Sequence, residues 1–122
     1  MSAFEHLAAI PPIGIWEGVV ARAVNGERLT LAVVELEPGA IVAQHSHDNE
    51  QLGIVLRGSM TLRVGAEERE LRPGETWRIE SNATHDAHAG SEGAVVIDVF
   101  APTRSDWDSA DRLEPQPPRW PG

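Results

Sequence analysis

The sequence predicts an all-β fold, a small barrel or sandwich. Three observations predict it. Apolar residues fall in short runs rather than at helical spacing. Turn-forming glycines and prolines separate those runs. Helix start and stop signals are scarce after residue 12.

The elements follow in order. Residues 1–12 read as a short N-terminal arm ending in Pro11-Pro12. The runs after it are Gly14–Val24, Leu29–Leu36, Ile41–His47, Gln51–Leu56, Met60–Val64, Glu68–Leu71, Thr76–Ile79 and Ala94–Phe100. Between them stand Asn25-Gly26, Pro38-Gly39, Arg57-Gly58, Gly65-Ala66, Pro73-Gly74 and Ser91-Glu92-Gly93. Glycine reaches positive φ without steric cost, and proline presets a turn φ, so each separator reads as a break between strands. One domain is expected over residues 1–122, with its core at about 14–104. Residues 105–122 are expected to be an extended proline-rich tail that packs back on the barrel. Five prolines fall within 102–122, and Trp107 and Trp120 are its main apolar residues.

Composition narrows the chemistry. The formal net charge is −9, which opposes binding to nucleic acid and to anionic membrane surfaces. With no cysteine there is no disulfide, no thiolate metal site and no thiol nucleophile. All ten basic residues are arginine, so a lysine Schiff base is excluded. Tyrosine is also absent. His, Asp, Glu, Arg, Ser and a metal remain. The N-terminus lacks a charged segment followed by an apolar one, and no apolar run nears the roughly 20 residues of a membrane span, so a cytoplasmic protein is expected.

His45 and His47 are two residues apart. On a helix they would point to nearly opposite sides, whereas on a strand they share one face, about 7 Å apart. Ile41, Val42 and Ala43 before them suit a strand. Gln51 lies just beyond the short Asp48-Asn49-Glu50 connection, and an antiparallel return brings its amide back toward the pair. His85 follows the run ending at Ile79. Three imidazoles and an amide oxygen form a neutral, borderline-soft donor set for one divalent transition metal (Mn, Fe, Co, Ni, Cu or Zn). Glu50 rivals Gln51, since carboxylates are the commoner ligands. His6 and His88 lack any such context and read as non-ligands.

The stretch resembles the first cupin motif: Gly39, five residues, His45-Ser46-His47, three residues, Gln51, six residues, Gly58. Most cupins carry Glu where Gln51 stands, and a Gln variant is a known subtype. The segment Ile79-Glu80-Ser81-Asn82-Ala83-Thr84-His85 resembles the second motif at His85. It lacks the usual proline and trailing Asn, and it has Asn82 where Gly is expected; Asn tolerates positive φ better than other non-glycine residues. The resemblance covers roughly residues 29–104 and implies a cupin-type jelly-roll. Cupins are often dimers, so a homodimer is expected on that ground alone.

The run Ala94–Phe100 is apolar except for Asp98, which by period 2 shares a face with Val96 and Phe100. A carboxyl there is costly unless paired or functional, and burial would raise its pKa toward a proton-transfer role. An outward-facing Asp98, or one supporting a metal ligand, is the other reading. Arg104 could clamp a carboxylate, or simply pair with Asp106 or Asp108. The string Asp98-Val99-Phe100-Ala101-Pro102-Thr103-Arg104 also resembles the pectin-degradation cupins that linearise 4,5-unsaturated uronates. That resemblance implies an acid/base role for Asp98, a substrate-carboxylate clamp at Arg104 and pocket shaping by Phe100. The expected function is therefore metal-assisted acid/base isomerisation of a small anionic, sugar-acid-like molecule. A metal dioxygenase and a non-catalytic ligand-binding cupin are the alternatives.

Overall fold

In the computed structural model, which describes residues 2–122, the runs become antiparallel strands that curl around one interior. They are β1 (Ile13–Trp16), β2 (Val19–Asn25), β3 (Thr30–Leu36), β4 (Ile41–His45), β5 (Glu50–Val64), β6 (Glu67–Leu71), β7 (Thr76–Ile79) and β8 (His85–Ala101). The sheet runs β1-β2-β3-β8-β5-β6, with β4 added on β8 and β7 on β5. This is the cupin-type all-β architecture that the motifs imply.

Two separators do not behave as turns. Arg57-Gly58 lies inside β5, and Ser91-Glu92-Gly93 lies inside β8. The two long strands pair with each other on both sides of two register shifts, between Val55 and Arg57 and between Gly58 and Met60, the second leaving residues 90–93 of β8 outside the pairing. Each strand therefore bends without ending. Gly58 and Gly93 have φ of 71° and 74°, as bulge glycines do. Their backbones also touch: a Cβ on Gly58 would lie 2.0 Å from the Gly93 carbonyl oxygen.

Alternation buries Val19 and Ala21 of β2, Ala32, Val34 and Leu36 of β3, and Ala94, Val96 and Phe100 of β8 in one core cluster. Met60 and Leu62 of β5, Leu71 of β6 and Ile79 of β7 join it. The opposite face of β2 and β3 carries Arg22 and Glu35, yet they are only 1% and 6% exposed. The C-terminal segment covers them. Arg22 Nη2 donates to the Gln116 carbonyl (2.6 Å), and the Arg119 amide donates to Glu35 (2.9 Å). Nearer the barrel mouth, Leu113 N donates to Pro12 O and Gly14 N to Asp111 O. A short 3-10 turn, Ser105–Ser109, drops Trp107 into the core, and another spans Leu7–Ala9 in the arm. Among the described residues no helix is long and apolar enough to cross a membrane.

Candidate metal centre

His45 closes β4 and sits in register opposite His85, which opens β8. β4 ends there, so strand parity alone does not carry His47. Its backbone is held instead by Asn82, whose amide donates to the His47 carbonyl at 2.7 Å. Asn82 has φ 66°, the left-handed turn that the sequence pattern requires at this point. Gln51 is the second residue of β5 and pairs with both Ile79 and Phe100.

These elements gather the three imidazoles. One ring nitrogen of each of His45, His47 and His85 lies within 4.8 Å of the other two. Each Nδ1 contacts a main-chain carbonyl: His45 to Ala43 (2.7 Å), His47 to Asn49 (3.0 Å) and His85 to Ala83 (2.9 Å). A carbonyl only accepts, so each Nδ1 carries the proton and each Nε2 keeps its lone pair. Burial lowers the pKa of His47 and of His85, and for His47 the Arg104 charge adds to it. Neutral imidazoles are what a divalent ion requires.

The cavity they face is about 290 Å³ and is lined by Trp16, Val34, Met60, Leu62, Trp77, Val96, Phe100 and Trp107 beside the polar residues. Two buried acceptors in it, His47 Nε2 and Gln51 Oε1, have no hydrogen-bond partner among the described residues. Buried acceptors are rarely left unpaired, and a cation held by this donor set would satisfy both. The histidine triad with Gln51 thus fits a divalent metal ion. Glu50 is exposed and does not line the cavity. His6 caps the 3-10 turn of the arm, and His88 is exposed on β8.

Asp98 points inward, 8% exposed, on the same side of β8 as Val96 and Phe100. It accepts a 2.8 Å hydrogen bond from Gln51 Nε2. That bond and the Arg104 charge favour the carboxylate, but burial outweighs them and pushes Asp98 up to about 6. Trp77 Nε1 stands near enough to favour the carboxylate as well, yet its geometry falls short of a hydrogen bond and it has no partner among the described residues. The Trp77 ring fills the space over Gly53, where a Cβ would come within 2.1 Å of it.

Arg104 lines the same cavity. Its Nε and Nη2 both donate to Asp106, at 3.0 and 2.8 Å, so the pairing with Asp106 forms while the guanidinium still faces the site. Arg104 Cζ lies 4.7 Å from the Phe100 ring centroid and 4.4 Å from that of Trp107. Asn49 was not legible as a site residue, because it reads as a turn former. It is 5% exposed and donates to the Pro102 and Thr103 carbonyls, while its own carbonyl accepts from His47. One residue therefore ties the histidine loop to the segment that carries Arg104.

A jelly-roll with this histidine cluster in its mouth defines a small cupin. The chain belongs to the cupin family: the Cupin_2 cupin-domain model matches residues 32–100. It is 34% identical over 80 residues to the pectin degradation protein KdgF of Dickeya dadantii, covering 65% of this chain and 73% of that protein. The structure of KdgF from Halomonas sp. superposes with a TM-score of 0.79 at 25% identity, covering 87% of this chain and 98% of that one. An RmlC-like cupin from Shewanella frigidimarina shares the fold at a TM-score of 0.81 and 21% identity, covering 88% and 96%.

Proposed function

We propose that this chain is a metal-dependent cupin enzyme that linearises a 4,5-unsaturated uronate by acid/base isomerisation. One observation carries the reading. A neutral donor set, a buried carboxyl and an arginine converge on one cavity, in a chain 34% identical to a pectin degradation protein. The cavity, at about 290 Å³, sits at the small end of ligand pockets, which suits a monosaccharide rather than a polymer.

The chemistry follows from the residues. Arg104 pairs with the substrate carboxylate and fixes the ring relative to Asp98. A bound ion, its charge uncompensated by four neutral ligands, would stabilise the enolate charge that develops. Asp98 takes the proton from the C1 hydroxyl of the hemiacetal. C1 becomes an aldehyde as its bond to the ring oxygen breaks, and the electron pair moves to that oxygen. Asp98 then returns the proton to C4, and the enolate becomes the C5 ketone. One proton moves from O1 to C4, so atoms balance with no redox step. A carboxyl at about 6 can both take and give that proton near neutrality. Phe100 and Trp107 exclude water beside Arg104.

The test is to load the protein with each divalent metal in turn and add unsaturated galacturonate. Loss of the ultraviolet absorbance of the conjugated enol ether, with the open-chain ketone seen by NMR, is expected well above the spontaneous rate. An unchanged rate with every metal would falsify the reading; oxygen uptake by the iron-loaded protein would point to a dioxygenase.

A further inference from the structure

Asp106 is hard to understand from charge alone. A cavity proposed to take an anion carries this carboxylate on its wall, beside the one arginine that would attract the substrate. Geometry gives it a purpose. The side-on fork of the guanidinium, Nε with Nη2, is already taken by the two oxygens of Asp106. Phe100 and Trp107 meet nearly edge-to-face, 5.2 Å apart at 76°, and the guanidinium sits in the corner between them. The backbone beneath is fixed too. Arg104 N donates to Thr30 Oγ1 at 2.9 Å, and Trp107 N donates to Arg104 O at 2.9 Å. Arginine otherwise has several rotatable bonds to immobilise when it binds a ligand.

We infer that Asp106 and Trp107 are positioning residues that hold Arg104 in a single orientation, leaving only its Nη1–Nη2 edge to receive a substrate carboxylate. The inference rests on the uronate reading for the identity of that carboxylate. A pre-set arginine loses less entropy on binding, and it presents the carboxylate along one direction.

Charge and positioning predict opposite signs, which makes the idea testable. Asp106→Asn removes a negative charge beside the binding cation. If charge alone mattered, an anionic sugar would bind more tightly. If Asp106 positions Arg104, binding weakens. Calorimetry on the metal-loaded protein, with galacturonate as probe and galactose as neutral control, separates the two. Arg104→Ala should lose at least about tenfold in affinity for galacturonate, and Asp106→Asn about three- to tenfold, the usual cost of immobilising one long side chain. Trp107→Phe, which keeps a ring face, should stay near the parent, whereas Trp107→Leu should resemble Asp106→Asn. The Asp106 side chain is 62% exposed, so its isosteric substitution leaves folding intact even if Trp107→Leu does not fold. A second readout needs no sugar. The Arg104 Nε–H signal in ¹H–¹⁵N spectra should be protected from solvent exchange in the parent and in Trp107→Phe, and should lose that protection in Asp106→Asn. Equal or tighter galacturonate binding by Asp106→Asn, or unchanged Nε protection, overturns the clamp. If Arg104→Ala binds galacturonate like the parent, the uronate reading fails at Arg104, and the Nε signal still decides the clamp.

Discussion

Gln51 does two things that a glutamate cannot. Its Nε2 donates to Asp98 while its Oε1 has no partner among the described residues. A carboxylate at this position would have no proton to donate and would set two acidic groups against each other. Gln51→Glu is therefore expected to retain the metal, since a carboxylate also ligates, while turnover falls by about tenfold or more; elemental analysis and steady-state kinetics separate the two effects. Asp98→Asn is the cleaner probe of proton transfer. The asparagine oxygen can still accept from Gln51, so the ligand stays oriented, but the side chain can no longer cycle a proton. A loss on the order of 10²–10⁴ in kcat is expected, with metal content near parental. Loss of the metal in Asp98→Asn would instead mean that Asp98 serves mainly to support Gln51. Replacing His45 and His47 together with Ala should abolish metal uptake under limiting metal, as measured by elemental analysis. Unchanged occupancy there would put the site elsewhere.

At the scale of elements, β5 and β8 decide where those residues meet. Each is bent rather than broken, so both halves of each strand line the cavity: Gln51 and Leu62 of β5, and His85 and Asp98 of β8. Arg57-Gly58 and Ser91-Glu92-Gly93 carry turn chemistry, and a turn and a bulge both ask for positive φ in the same few residues. The local sequence therefore cannot tell them apart. What decides is the partner strand, which pairs again beyond the bend. The strands β2, β3 and the second half of β8 were legible as short apolar runs between turn residues, and period 2 placed Asp98 on the face of Val96 and Phe100. Gly58→Ala tests the bend directly. It would combine an unfavourable φ of 71° with a Cβ 2.0 Å from a backbone oxygen, so the strands must separate locally. A destabilisation of at least about 2 kcal/mol is expected in urea unfolding. Gly65→Ala serves as the control. It shares the positive φ, at 59°, but nothing stands within 4 Å of its Cβ, so it should cost clearly less. Equal losses would mean that close packing of Gly58 on Gly93 contributes nothing.

Across the whole molecule, the C-terminal segment joins the site to the far side of the sheet. Its first part supplies Arg104, Asp106 and Trp107 to the cavity, and its last part lies over Arg22 and Glu35. Composition could suggest an extended tail, but the contacts of Gln116 and Arg119 span 94 and 84 residues and leave no periodic trace in the sequence. The ion pair beneath them is buried on both sides, with Arg22 Nη1 2.9 Å from Glu35 Oε2. Such a pair adds little net stability over an apolar one, because desolvating both charges offsets their attraction, but removing one partner strands the other. Glu35→Ala leaves a guanidinium that is 1% exposed with only the Gln116 carbonyl to bond. It also removes the acceptor of the Arg119 amide, so the tail loses its anchor. A loss of about 3–5 kcal/mol in urea unfolding is expected. The double replacement Arg22→Met with Glu35→Leu should recover most of it, since no charge is then left buried. Metal uptake on the inner side of the sheet should be unaffected in the double variant. If Glu35→Ala alone costs under about 1 kcal/mol, as for solvated surface pairs, then water reaches Arg22 and the tail does not seal this face in solution.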